Sequence, residues 1–130
     1  MTLIDRLSKM EGPDREVDAI LWCLDNKLTF KKKLHHTYNG YPRFYSFRTA
    51  EKGTVGIGLV PKYTASVDAA IALAERVLPG ANVLIGWGQT KETKPWARIG
   101  VIPSHDATGF NLATALCIAI LRAKETSNAE

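Results

Sequence analysis

The chain has 130 residues and a formal net charge of +4 at pH 7, and 45% of its residues are hydrophobic against 23% charged. This composition excludes a largely disordered chain, and the length fits one domain, since single domains most often have about 100–150 residues. No apolar run approaches the about 18 residues that cross a bilayer, and the polar start Met1–Met10 lacks the pattern of a secretory signal, so we expect a cytoplasmic protein.

Two helices are predicted at the start of the chain. Thr2 is a suitable N-cap for a short helix to Met10, and Asp5 follows three residues later, as in a capping box. Pro13 can open a second helix, because proline is tolerated in the first helical turn. The apolar face of that helix is formed by residues at helical spacing, namely Val17, Ile20, Leu21 and Leu24.

Residues 26–63 show no clear period and are predicted to be irregular. Within them, Asn39-Gly40 favours a turn with positive φ, and Phe44–Phe47 favours a short strand. The run Lys31-Lys32-Lys33 is interpreted as a solvated loop edge, with contact to an anion as the alternative.

A third helix is predicted after this segment. Thr64 or Ser66 can cap it, and an apolar face at helical spacing continues to Leu78. Pro79-Gly80 then ends the helix.

The last third of the chain predicts a hairpin and a buried helix. Residues at period two define two faces in Ala81–Gln89 and in Pro95–Ile102, which indicates two strands joined by a polar connection. Asn111 can cap a helix from Leu112 to about Lys124, which is apolar nearly all round and is therefore predicted to be buried.

These elements predict an α/β (α+β) fold, a three-layer α-β-α sandwich around a small, mainly antiparallel sheet. We expect one domain over residues 1–130, with residues 125–130 as a tail. Cys23 and Cys117 are far apart, and each lies in an apolar helical pattern, so both are predicted to be buried free thiols.

Much of the positive charge lies between Lys27 and Lys52. This window holds seven basic residues and one acid, Glu51, which gives it a charge of +6 and leaves −2 for the rest of the chain. Cations bind phosphates and aromatic faces stack on bases, so the window predicts a phosphate-bearing, base-bearing ligand. The rings interleaved with the cations are Phe30, Tyr38, Tyr41, Phe44, Tyr45 and Phe47.

The first group of candidate ligand-binding residues lies in this window. If the segment is extended, Arg43, Tyr45 and Phe47 share one face, which combines a guanidinium group with stacking rings. Arg48 points to the other face and adds a second guanidinium group. Half-buried strand packing is the alternative, because aromatic residues at period two are common in cores.

The second group surrounds the predicted hairpin. Trp87 and Trp96 flank its connection, and Arg98 lies on the same face as Trp96, so that stacking on a base or a cation–π contact is expected. Core packing is favoured for at least one tryptophan. Arg122 is interpreted as complementing the dipole at the end of the last helix, with a phosphate contact in an oligomer groove as the alternative.

Metal binding and catalysis are disfavoured. His35-His36 and His105-Asp106 lack the helical spacing or the cysteine pairs that make metal sites specific, and no cofactor is expected. Ser104-His105-Asp106 are sequence neighbours, whereas the members of a catalytic triad converge from separate segments.

Three stretches of the chain carry a family resemblance. They are Tyr63-Thr-Ala-Ser-Val-Asp-Ala-Ala-Ile71, Ala113-Thr-Ala-Leu-Cys-Ile-Ala-Ile-Leu-Arg-Ala123, and the start with Ile4-Asp-Arg-Leu and Gly12-Pro-Asp-Arg-Glu-Val-Asp18. They resemble the phage ABA-sandwich domain family, which consists of small phage α-β-α proteins. The resemblance covers about half the chain and implies a phage or prophage accessory protein acting in the host cytoplasm. By analogy of fold, it also implies an antagonist of host defence.

The leading functional hypothesis is a non-catalytic, oligomeric phage protein that sequesters a small anionic nucleotide. A cyclic nucleotide or an ADP-ribose-type immune signal has the required chemistry. The alternatives are a nucleic-acid-binding protein, which the same cations and rings permit, and a protein-interaction module with exposed rings as hot spots. A hydrolase is the least favoured.

Overall fold

The computed structural model describes residues 2–87, 94–100 and 104–129. These residues form four α-helices, six strands and one 3₁₀ turn: α1 (Leu3–Ser8), α2 (Arg15–Asp25), β1 (Phe30–Tyr38), β2 (Tyr41–Thr49), β3 (Gly53–Gly56), the 3₁₀ turn (Ile57–Leu59), α3 (Val67–Val77), β4 (Val83–Gly86), β5 (Trp96–Ile99), β6 (His105–Thr108) and α4 (Leu112–Ala129). The strands make two antiparallel sheets, ordered β1-β2-β3 and β4-β5-β6. The predicted mixed fold with antiparallel pairing is confirmed, with two small sheets in place of the one expected.

The chain divides into two compact units. The inserted unit is Arg15–Pro61, and the flanking unit consists of Met1–Asp14 together with Lys62–Glu130. The inserted unit contains α2 and the first sheet, while the flanking unit contains the other three α-helices and the second sheet.

Helix α4 forms the centre of the flanking unit. It contacts α1 and α3 as well as strands β5 and β6. Residues 113–120 are all buried, as the apolar pattern predicted. Gly109 precedes this helix at a point where a Cβ atom would lie 2.8 Å from the backbone nitrogen of Ala115, so the close approach requires glycine there. The helix continues to Ala129, beyond the predicted end near Lys124.

Two buried residues, Tyr63 and Thr64, hydrogen-bond to α4 and its cap at the point where the chain enters the flanking unit. The carbonyl of Thr64 accepts a hydrogen bond of 2.9 Å from the Asn111 side chain, and its hydroxyl accepts one of 3.0 Å from the backbone N–H of Asp14. Tyr63 is fully buried, and its hydroxyl accepts a hydrogen bond from Arg76. The two longer stretches that carry the family resemblance therefore contact each other within a core.

The predicted helix caps are confirmed. Thr2 and Asp5 form a reciprocal capping box on α1. Ser66 caps α3 by accepting from the backbone N–H of Ala69, and Asn111 caps α4 by accepting from Thr114 at 2.7 Å. Each cap satisfies an N–H group that has no partner within its helix.

The inserted unit contains far more regular structure than the sequence predicted. Segment 26–63 forms a hairpin of two nine-residue strands plus the short strand β3. Asn39 and Gly40 connect the hairpin with φ angles of 51° and 81°, which confirms the predicted turn. Pro42 lies in the part of β2 that has no register partner on β3, so its missing N–H costs no hydrogen bond there.

Phe47 is the centre of the inserted unit's core. It is fully buried, and its ring contacts Trp22 edge-on at 5.9 Å and Phe30 in a stacked arrangement at 5.7 Å, measured between ring centroids. The predicted ligand-binding role of Phe47 is therefore replaced by the packing alternative, because no part of the ring reaches solvent.

A buried ion pair ties the start of α2 to the end of the inserted unit. The Asp18 carboxylate is fully buried and lies 2.9 Å from Arg15. The same guanidinium group donates to the carbonyls of Ile57 and Val60 at 2.9 and 2.8 Å, and to that of Pro61 at 3.2 Å. Because these contacts occupy the group fully, Arg15 has a structural role.

Both cysteines are buried and free, as predicted, and burial raises the pKa of the Cys23 thiol. Among the described helices, none combines the length and the apolar character that crossing a bilayer requires.

Candidate functional site

The face of the first sheet that points away from Phe47 carries two adjacent cations. In the register of the hairpin, Lys32 of β1 lies directly opposite Arg48 of β2. Both residues are exposed. Phe47 and Arg48 are consecutive on β2, so their side chains point to opposite faces and one strand supplies both the core ring and the surface cation. Residues directly opposite on antiparallel strands have Cβ atoms about 5 Å apart, so the two side chains leave the sheet side by side.

The three strands of this sheet contain no acidic residue. Their sequences FKKKLHHTY, YPRFYSFRT and GTVG hold five lysines and arginines. The inserted unit has eight basic and four acidic residues, a net charge of +4, whereas the flanking unit has nine of each. The inserted unit therefore carries the whole net charge of the protein.

The cations of this unit differ in how they are neutralised. Lys33 forms an ion pair of 2.8 Å with Glu16 of α2 and lies over the Phe44 ring, 5.8 Å from its centroid. The side chains of Lys32 and Arg48, in contrast, form no hydrogen bond or ion pair with any residue in the described part of the chain. Like charges directly opposite each other on a sheet are destabilising. This pair therefore places two positive charges side by side without a countercharge among the described side chains.

The one acid of the Lys27–Lys52 window lies at the open end of the hairpin, the same end as Lys32 and Arg48. Glu51 accepts hydrogen bonds of 2.7 Å from both the backbone N–H and the hydroxyl group of Thr29. These two bonds, the backbone one first, lower the pKa of Glu51. Its carboxylate is therefore engaged with Thr29 instead of with the Lys32–Arg48 pair.

A β-bulge changes the predicted arrangement of the other β2 candidates. Leu34 pairs with Ser46 and His35 pairs with Phe44, so Tyr45 is the extra residue of the bulge and the alternation of faces is interrupted there. The shared face predicted for Arg43, Tyr45 and Phe47 depended on unbroken alternation. Tyr45 is 45% exposed, which leaves its ring accessible.

Arg43 lies beyond the bulge, nearer the hairpin turn. Its backbone pairs with His36, four residues along β1 from Lys32. The side chains of Arg43, His35 and His36 lie outside the described part of the structure. Exposed Tyr41 follows the turn at the same end of the hairpin.

The second group of candidates lies in the flanking unit. Trp96 and Arg98 alternate with the buried residues Ala97 and Ile99, so both face away from the core, as predicted. The Trp96 ring covers Gly86 of β4, where a Cβ atom would lie 2.6 Å from the ring. The absence of a side chain at Gly86 is what allows the ring to lie across the sheet.

Arg98 and Arg122 share one acceptor residue. Arg98 forms two hydrogen bonds, of 2.8 and 3.2 Å, with the carboxylate of Asp106, its neighbour on β6. These bonds lower the pKa of Asp106 and raise that of Arg98. Arg122 donates to the backbone carbonyl of Asp106 at 2.6 Å. Both cations are therefore engaged within the protein, unlike Lys32 and Arg48.

Trp87 is 77% exposed and borders a shallow, mainly apolar pocket of about 310 Å³ beside the start of α4. Pro95 and Phe110 are among the other lining residues. The lining contains no charged side chain, so this pocket suits an apolar ring better than a phosphate.

The structure thus places the predicted residues in two groups. Those of β2 belong to the inserted unit, and Trp87, Trp96, Arg98 and Arg122 belong to the flanking unit. Lys32 was missed as a partner of Arg48, because Lys31-Lys32-Lys33 was interpreted as a loop edge. The signal was present in the Asn39-Gly40 turn, since a hairpin extended outwards from it brings the lysine run opposite Arg48.

No group of three or more His, Cys, Asp or Glu side chains with the geometry of a metal site occurs in the described part of the chain. No protein-family description, no curated protein and no solved structure matches this chain.

Proposed function

We propose that this protein binds a phosphate-bearing nucleotide and holds it without cleaving it, with the Lys32–Arg48 pair as the phosphate contact. The observation that carries the proposal is the pairing of two exposed, unneutralised cations on a sheet without acidic residues. A phosphate group between them supplies the missing countercharge. An arginine fork beside a lysine matches phosphate oxygens well.

The cross-strand pairing of the two residues favours a compact phosphate group. With Cβ atoms about 5 Å apart, the two long side chains can reach the same phosphate or the two halves of a diphosphate. Tyr45, exposed on the same strand, offers a ring for a base or a sugar face. A small anionic nucleotide, such as a cyclic nucleotide or an ADP-ribose-type signal, combines these groups.

The biological setting of this proposal comes from the resemblance to the phage ABA-sandwich domain family. It implies a phage accessory protein that sequesters an immune nucleotide in the host cytoplasm and so counters host defence. The α-β-α layering of that family is part of the same proposal.

Calorimetric titration tests this function directly. Wild-type protein is titrated with a panel of cyclic oligonucleotides and cyclic ADP-ribose isomers, and bound ligand is recovered by heating and checked by mass. We expect micromolar or tighter binding of at least one member, recovered intact. Lys32→Ala and Arg48→Ala should each weaken binding by about tenfold or more, since a hydrogen bond to a charged group contributes about 1.5–3 kcal/mol.

Lys62→Ala is the matched control, because Lys62 is an exposed lysine of the neutral flanking unit. This variant should bind like wild type. Failure of every member of the panel to bind at micromolar protein, or equal losses in all three variants, would contradict the proposal. Recovery of a cleaved ligand would instead indicate a hydrolase.

A second candidate, single-stranded nucleic acid, is favoured by the five lysines and arginines that the strands of the inserted unit carry without an acidic residue. A nucleic-acid strand lying along this sheet would bind with a steep dependence on salt and would not be displaced by mononucleotides. Fluorescence anisotropy with a labelled oligonucleotide at two salt concentrations separates the two candidates.

A further inference from the structure

Strand β4 is the most apolar exposed segment of the flanking unit. Leu84 is 55% exposed and Ile85 is 36% exposed, and Trp87 follows directly after the strand. Leu84 and Ile85 are consecutive on a strand, so their side chains point to opposite faces of the sheet. Exposure of both means that neither face of β4 is fully covered.

The packing of α4 explains this exposure. Ala97 and Ile99 of β5 and Ala107 of β6 are buried, and α4 packs mainly against these two strands. β4 is one of the two outer strands of the order β4-β5-β6 and, unlike β6, makes little contact with α4. Its side chains therefore receive less cover than those of its neighbours.

The outer edge of β4 also presents backbone groups. β4 pairs with β5 on one side only, and no strand in the described part of the flanking unit pairs with its other side. An outer strand offers a row of N–H and C=O groups to any chain that can extend the sheet. Apolar side chains next to such groups add hydrophobic contact to the hydrogen bonds.

We propose that β4 pairs with β4 of a second copy of this chain, antiparallel and across a two-fold axis, to form a continuous six-stranded sheet. A two-fold contact requires a surface that is complementary to itself, and an uncharged apolar strand satisfies this condition. The segment from Pro79 to Trp87 contains no charged residue, so two copies approach without repulsion between like charges.

The charge distribution favours this edge over the inserted unit as the self-association surface. The flanking unit has nine basic and nine acidic residues, whereas the inserted unit carries +4. Contact between two neutral units involves no net repulsion of like charge.

The expected dimer is weak. Stable specific interfaces bury about 800 Å² per partner, and a four-residue strand with two exposed apolar side chains and Trp87 beside it is smaller than that. We therefore expect an equilibrium between monomer and dimer in the micromolar range, with dissociation on dilution.

Sedimentation velocity of the full chain, from low to several hundred micromolar, tests this inference. Wild type should change from monomer to dimer, and Leu84→Lys should remain monomeric over the whole range. Leu24→Lys is the matched control, since Leu24 is also 55% exposed but lies on α2 of the inserted unit. The control should dimerise like wild type, and circular dichroism should show that both variants are folded.

Hydrogen exchange of wild-type protein locates the contact independently of any variant. Amides of residues 83–86 should gain protection as protein concentration rises, while those of β1 and β2 should not. A wild-type chain that stays monomeric at every concentration would overturn the inference. So would a dimer whose formation leaves the β4 amides unprotected, or one that both lysine variants weaken equally.

Discussion

The two units of this protein differ in charge and in how their cores are built. The flanking unit is neutral and is organised around an apolar helix, α4, with small residues where the chain approaches it closely. The inserted unit is strongly basic and is organised around one buried ring, Phe47, on a sheet whose other face carries cations. Core and surface alternate along strands of both units, at Ala97 and Arg98 of β5 and at Phe47 and Arg48 of β2. Arg98 is paired with Asp106, whereas the Arg48 side chain has no partner in the described part of the chain, so a functional residue is easier to assign in the inserted unit.

The largest expected effect concerns the ion pair that closes the inserted unit. Arg15→Ala leaves the fully buried Asp18 carboxylate without its arginine and removes the donor to the Ile57 and Val60 carbonyls. Breaking a buried ion pair from one side costs about 3–5 kcal/mol. We expect the free energy of unfolding, measured with urea, to fall by about 3 kcal/mol.

Arg6→Ala is the control in the flanking unit. Arg6 lies 2.9 Å from Asp14, but both side chains are about one-third exposed. Exposed pairs contribute about 0–1 kcal/mol, so this variant should cost much less. Hydrogen exchange should show that Arg15→Ala weakens β1 and β2 more than α4. Equal costs for the two variants, or an even loss of protection over both units, would contradict the distinction between the units.

The next effect tests the close packing of the flanking unit. Gly109→Ala places a Cβ atom 2.8 Å from the backbone nitrogen of Ala115, which cannot move without shifting the start of α4. Overpacking of this kind costs about 1–3 kcal/mol. Gly12→Ala is the control, because a Cβ atom there meets nothing within 4 Å. Thermal unfolding should show a lowered Tm for Gly109→Ala only. Similar Tm values for the two variants would show that Gly109 and the Ala115 backbone are not tightly packed.

A smaller effect of opposite sign is expected on the basic face. Arg48→Ala removes one of two like charges that lie directly opposite each other, so the protein without ligand should become more stable by about 0.5 kcal/mol. The same change should weaken nucleotide binding. A gain in stability together with a loss of affinity distinguishes a ligand site from a structural cation. A loss of stability would show that Arg48 supports the fold.

The smallest effect is the pH dependence of the Arg98–Asp106 pair. Hydrogen bonds from Arg98 lower the pKa of Asp106 in the folded protein. A lowered pKa means that this contribution to stability is present above the ordinary pKa of an aspartate and is lost as the pH falls through the lowered value. Asp106→Asn should remove this acid-side dependence while leaving stability near neutral pH almost unchanged, because the pair is exposed. Urea unfolding at acidic and neutral pH provides the comparison, and unchanged acid sensitivity of the variant would contradict the assignment.

The sequence predicted the flanking unit well because its signals are local. A cap such as Ser66 or Asn111 and an apolar period define a helix without knowledge of the rest of the chain. The sequence predicted segments without local signals less well, and the short strand β6, which has no distinctive pattern, was not predicted. The predicted strand ends at 88–89 and 101–102 lie outside the described residues, as does most of the predicted connection at 90–94.

The inserted unit shows what a single sequence does not provide. Two bulges, at Lys31 and Tyr45, interrupt the period-two pattern of β1 and β2, so a long hairpin appeared irregular. The register also decides which residues become partners. The turn at Asn39-Gly40 was predicted correctly, but only the register shows that Lys32 and Arg48 are neighbours. The candidate site in the basic window therefore remains a prediction, to which the structure adds Lys32 as the neighbour of Arg48 and from which it removes the buried Phe47.

Chemical-shift mapping tests the central claim most directly. Uniformly ¹⁵N-labelled protein is titrated with pyrophosphate, and a parallel titration with sodium chloride at matched ionic strength serves as the reference. The account predicts saturable shifts concentrated at the amides around Lys32 and Arg48, which are lost in Arg48→Ala and kept in Lys62→Ala. Shifts that match the chloride reference, or that concentrate in the flanking unit, would contradict it.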